Sequence, residues 1–142
     1  MGAAGYGIGA VMSLAAARQS KAAYANDAQS AYEQAEMAGI EADQQAINRT
    51  AELQEQLSSI VNASAGQGVG AYSSPSITNI FRQEKKLAKA DISSIKLMGK
   101  SKRRQYVLSA KGSQRKGKAA MYTGIGTAAQ MGAKAYTSTG KV

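Results

Sequence analysis

Large apolar side chains are scarce in this chain, and that shortage constrains its fold more than any motif does. Hydrophobic residues make up 44% of the 142 positions, but there is one Phe and no Trp, and alanine is the largest single contributor. Burial stabilises by roughly 25 cal/mol per Å² of apolar surface, so a globule built on alanine barely offsets the entropy of ordering its chain. The expectation is an extended helical protein whose stability is completed by neighbouring copies or partners.

The longest uninterrupted stretch agrees. Residues 18–64 contain no proline and are rich in Ala, Glu and Gln, all good helix formers. Small residues recur there at three and four steps, in Ala25, Ala28, Tyr32, Ala35, Gly39, Ala42 and Ala46. This is an a/d-like seam that lets helices approach closely while gaining little from burial, and it is the expected oligomer seam. After Arg49 the seam passes to Leu53, Leu57, Ile60 and Val61.

The helix should stop near residue 65, where Gly66, Gly68 and Gly70 alternate with other residues. That triplet lacks the spacing of a dinucleotide-binding loop, has no strand before it and no Lys-Ser/Thr after it, so it reads as a turn. Pro75 is the single proline; with Ser74 as N-cap it opens a second helix. Over residues 76–118, Ile77, Ile80, Phe81, Ala88, Ile92, Ile95 and Met98 form an apolar stripe. Glu84 and Asp91 share a face with Lys85 and Lys89 and should form weak ion pairs along the helix.

Charge divides the chain in two. Up to Ser76 there are three basic and seven acidic residues, a net −4; from Ile77 onward there are fifteen basic and two acidic residues, a net +13. Lys85, Lys89, Lys96, Lys100 and Arg103 follow one another at intervals of 4, 7, 4 and 3, and Arg104, Lys111, Arg115 and Lys118 at 7, 4 and 3. With Lys102 and Lys116 they form a candidate contact surface for phosphates or lipid headgroups, about 45–50 Å long at 1.5 Å per residue. Tyr106 is the one aromatic inside it, which disfavours a base-stacking surface for single strands.

The ends match each other. Residues 2–17 and 119–133 carry no charge and are mostly small. Gly5 and Gly9, and Gly124, Ala128 and Gly132, repeat at four-residue intervals suited to close helix packing, including in membranes. Neither segment is apolar enough for a convincing constitutive span. The basic residues Arg18 and Lys21 follow the first segment rather than precede it, the reverse of a signal peptide. With no Cys and no His in the chain, and its carboxylates scattered, no cofactor, metal or catalytic role is expected.

The chain is therefore expected to be all-α: a long helical hairpin with small-residue terminal helices and oligomeric assembly as a ring. Its expected segments are residues 1–17, 18–64, 65–75, 76–118 and 119–142. Three classes remain open: a membrane-active structural protein, a nucleic-acid-associated structural protein, and an assembly or scaffold factor or adaptor that binds one protein ring.

Several elements taken together carry a resemblance. They are the uncharged small-residue start, the Gln/Ala/Glu helix and the break with Gly68, Gly70, Ser74 and Pro75. To these add the basic helix with Lys102 to Tyr106, Ala110 and Gly112, and the terminal run with Met131, Gly132, Ala133, Ala135 and Tyr136. The layout resembles the smallest internal virion (core, or ejection) protein of short-tailed bacteriophages of the podovirus type, over nearly the whole chain. The resemblance implies a structural protein inside the virion near the portal, in a symmetric oligomer with other internal proteins and beside genomic DNA. It implies release at infection and a part in the conduit across the host cell envelope, at the outer membrane and periplasm.

Overall fold

In a computed structural model the chain forms two helices, α1 (Ala3–Gly66) and α2 (Pro75–Thr139). The structure describes residues 3–66 and 75–139, with side-chain surroundings for 8–66, 75–134, 136 and 137. Among the described residues there is no strand. The all-α expectation holds, and Pro75 does begin α2. The expected turn residues Gly68, Gly70 and Ser74 lie outside the described residues. The terminal small-residue runs are not separate helices: α1 passes through position 17 and α2 through position 118 without a break.

Contacts group the chain into two units, one of Met1–Gln34 with Gln105–Val142 and one of Ala35–Arg104. Within the unit of residues 35–104, α1 and α2 run antiparallel, with Ala42 against Gly99 and Arg49 bonded to Asp91. Its buried residues are small: Ala35, Ala38, Ala42, Ala46 and Ser64 on α1, Ala88 and Gly99 on α2. Leu53, Leu57, Ile60, Val61, Ile77 and Phe81 are half-buried where the two stretches approach the connection between them. The Ser64 hydroxyl donates to the Val61 carbonyl at 2.8 Å, so its burial leaves no donor without a partner.

The seam departs from its expected membership. Ala28, Ala35, Ala42 and Ala46 are buried and Gly39 is half-buried, but Ala25 and Tyr32 are exposed. Tyr24, Ala31 and Ala38 occupy the second row instead. In the unit of residues 35–104 the seam is also spoken for within the chain, since Ala42 packs on Gly99 of α2. On α2, Ile80 and Met98 leave the expected stripe and are 44% and 57% exposed, while Gly99 takes the contact position. Ile77, Phe81, Ala88, Ile92 and Ile95 keep their places on the packed side; at the closest contact, where Ala42 meets Gly99, the helices leave no room between them for Met98.

The unit of residues 1–34 and 105–142 uses the same device. Ala17, Ala28, Ala110 and Gly117 are buried. A Cβ placed on Gly117 would lie 3.2 Å from the Tyr24 Cβ, and one on Gly9 would lie 3.1 Å from the Met131 Sδ. Gly124 sits against Ala17. Hydroxyls along both helices bond back to the preceding turn, Ser13 to the Ala10 carbonyl at 2.9 Å and Thr127 to the Thr123 carbonyl at 2.9 Å.

Asp91 does not pair along its own helix with Lys85 or Lys89. It accepts from Arg49 across the pair at 3.0 Å, and Arg49 also reaches Glu52 at 3.1 Å. The hydrogen bonds to Asp91 and then to Glu52 raise the pKa of the Arg49 guanidinium above its ordinary value. The carboxylates are largely exposed, so the expected coupling is small. A double-mutant cycle of Arg49→Gln and Asp91→Asn, read by urea unfolding, should give a coupling close to zero.

Candidate interaction surfaces

The basic residues of α2 are held by helical spacing alone. All eleven expected contact residues (Lys85, Lys89, Lys96, Lys100, Lys102, Arg103, Arg104, Lys111, Arg115, Lys116 and Lys118) are exposed. Among the described residues none of them forms an ion pair, the ion pairs there being those of Arg49.

Grooves between the helices sort these residues onto faces in the unit of residues 35–104. On one flank a cavity of about 310 Å³ is lined by Asp43 of α1 and by Lys96, Lys100 and Arg103 of α2. Further along, a cavity of about 770 Å³ has Leu57, Val61 and Phe81 as its apolar lining and Arg82 and Lys85 at its edge. Positions 82, 85, 89, 96, 100 and 103 follow intervals of 3, 4, 7, 4 and 3 and form one continuous basic flank. Arg82, absent from the expected set, belongs to it; the interval of three to Lys85 was the available signal.

The opposite groove is lined by Glu41 and Gln45 of α1 and by Ile95, Met98 and Lys102 of α2. Lys102 therefore stands apart from Lys100 and Arg103, although the three are near neighbours in sequence. Arg104 lies on the outer side of α2. In the other unit Lys111, Arg115 and Lys118 share a face, and Lys116 falls on the far side of α2 from them.

The small-residue ends divide in a similar way. Gly9, Gly124 and Ala128 are half-buried and belong to helix packing, while Gly132 is exposed, with nothing within 4 Å of a Cβ placed there. Gly5 lies in α1, and its surroundings fall outside the described residues. Of the larger apolar residues of these segments, Ile8, Val11, Met12, Tyr122 and Ile125 are exposed, and Leu14, Met121 and Met131 are half-buried. Among the described residues no helix is long and apolar enough to cross a membrane, and no group of His, Cys, Asp and Glu could hold a metal ion.

No family model, no curated protein and no solved structure matches the chain.

Proposed function

We propose that this chain is a structural virion protein, an internal core or ejection component of a short-tailed phage. In this reading it sits near the portal with other internal proteins and beside genomic DNA. It is released at infection and helps form the DNA-translocation conduit across the host envelope. The observation that carries the reading is the inversion of the usual apolar arrangement. Alanine and glycine fill the contacts between the helices, and Val11, Met12, Ile47, Leu87 and Tyr122 face outward. Such a chain satisfies its backbone alone but leaves many of its larger apolar side chains to be covered by copies, partners or lipid. The basic flank supports proximity to a polyanion.

The absence of a membrane-length apolar helix among the described residues favours a second reading, a DNA- or portal-associated structural protein or adaptor that never inserts.

Flotation separates the two. Purified protein is mixed with phosphatidylethanolamine vesicles, with and without phosphatidylglycerol, at ~50 and ~200 mM salt. The first reading expects flotation that persists at high salt and without anionic lipid. It also expects flotation to be lost in Val11→Gln/Met12→Gln/Ile125→Gln, whose substituted positions are exposed. Flotation only at low salt on anionic vesicles, or none, overturns membrane engagement and leaves the second reading.

A further inference from the structure

The two flanks of the helix pair over residues 35–104 are complementary to each other. The basic flank carries Arg82, Lys85, Lys89, Lys96, Lys100 and Arg103 on α2. On the α1 side of the same flank, positions 36, 40, 43, 47, 54 and 58 follow intervals of 4, 3, 4, 7 and 4, and Asp43, Gln54 and Ser58 line its grooves. Ile40 and Ile47 stand in that row, 53% and 66% exposed.

The other flank has the opposite character. On α2, positions 80, 84, 87, 91, 98 and 102 follow intervals of 4, 3, 4, 7 and 4, and Met98 and Lys102 line the groove there. Ile80, Leu87 and Met98 are exposed in this row, interleaved with Glu84 and Asp91. On α1, Glu41 and Glu52 fall on the same side. With Glu55, which lines a groove together with Glu52, this flank holds five carboxylates, with Arg49 and Lys102 as its cations.

We propose that these flanks mate between copies, so that the acidic flank of one chain packs on the basic flank of the next, side by side and in the same direction. The proposal rests on the self-assembly in the reading above and assigns its interface, which is not the alanine seam, because that seam is filled within the chain. Copies stacked level with one another bring the apolar rows into register. Ala42 packs on Gly99, so Asp43 stands level with Met98, and Ile40 and Ile47 lie about 5 Å to either side along the axis at 1.5 Å per residue. Met98 of one copy is therefore level with the gap between Ile40 and Ile47 of its neighbour, and enters it where α2 of one copy lies against α1 of the next. Glu84 stands at the level of the neighbour's Lys85, and Glu41 at the level of the neighbour's Lys100. Two different patches meet, so the contact is heterologous; it closes into a ring or continues as a filament, according to the rotation between copies.

The chain has no cysteine, which permits a clean cross-linking test in the full-length protein. Ile47→Cys and Met98→Cys are made separately and together, with helicity and melting compared to the parent, and oxidised in solution without lipid. The expected results are no disulfide in either single variant alone, a dimer when the two singles are mixed, and a ladder of multimers from the double variant. Self-cross-linking of either single variant means that like patches meet, and it overturns the proposal. So does the absence of cross-links from both the mixture and the double variant, whatever the state of the parent in sedimentation. Membrane engagement is read by flotation alone, so either idea can fail while the other stands.

Discussion

Gly99→Val is expected to separate α1 from α2 within residues 35–104 and to lower the urea midpoint by more than any surface substitution. A Cβ at position 99 would overlap the Ala42 Cβ and lie 3.5 Å from the Ala38 carbonyl oxygen and 3.8 Å from the Ala42 Cα. Those atoms are backbone or attached directly to it, so no side-chain rotation relieves the collision and the helices must move apart. Overpacking of this kind costs about 1–3 kcal/mol, and here the displacement also uncovers the neighbouring alanines. The helix propensity gained by replacing glycine with valine, a few tenths of a kcal/mol, does not cover the loss. The exchange Gly99→Ala with Ala42→Gly moves the missing methyl to the other helix and should recover most of the stability lost in Gly99→Ala alone. Gly112 is the contrasting case, with nothing within 4 Å of a Cβ placed there, and Gly112→Ala should stabilise by up to about 1 kcal/mol. Far-UV circular dichroism in urea reads all four variants. A Gly99→Val protein that unfolds at the parental midpoint would show that the pair is not held at this contact.

That contact also explains which parts of the structure were legible in the sequence. Helix type, the end of α1 at Gly66 and the start of α2 at Pro75 follow from strong local signals, namely a proline-free run of Ala, Glu and Gln, a glycine-rich sequence after it, and Pro75 at a first helical position. Membership of the seam did not follow, because the pattern is degenerate. The row Ala25, Tyr32, Gly39 and the row Tyr24, Ala31, Ala38 flank Ala28 and Ala35 from either side and offer almost the same residues. A hydrophobic pattern discriminates by contrast between large apolar and polar residues, and alanine on both sides supplies none. Close approach then decides, and approach depends on which glycine of the partner helix lies opposite.

The same property misdirects the reading of Ile80 and Met98. Periodicity places large apolar residues inward, as in leucine-based pairs. Here the interhelical space admits Ala88 and Gly99, so bulk at neighbouring positions turns to the flank. Glu84 and Asp91 illustrate the electrostatic counterpart. Intervals along one helix reveal Lys neighbours, but the partner chosen by Asp91 is Arg49, which is 42 residues away and is brought close only by the antiparallel pairing. The basic surface was more legible, since exposed residues at three- and four-residue intervals need no packing information. What the intervals hid was the division between its sides, which put Lys102 opposite Lys100.

The basic flank makes the second large prediction. At concentrations too low for copies to mate, Lys89→Gln/Lys96→Gln/Lys100→Gln/Arg103→Gln should weaken binding to a short DNA duplex of arbitrary sequence and flatten its salt dependence. Each phosphate neutralised contributes about −0.9 to the slope of log K against log salt for duplex DNA, so losing four aligned cations should reduce the slope by up to ~3.6. Folding should be unchanged, because the four are exposed and, among the described residues, unpaired. A simple fall in net charge would also weaken binding, so the decisive comparison is with a second variant of equal charge. Lys21→Gln/Lys102→Gln/Lys116→Gln/Lys134→Gln removes four exposed cations, none of which stands three or four residues from a member of the first set. If alignment matters, this variant keeps most of the parental slope, because its cations were never positioned to meet one backbone together. If both variants lose the same slope, the protein attracts DNA through its overall charge, and the flank is then free to serve the contact between copies. Fluorescence anisotropy at four or five salt concentrations separates the two, since the slope counts the contacts made and the intercept does not.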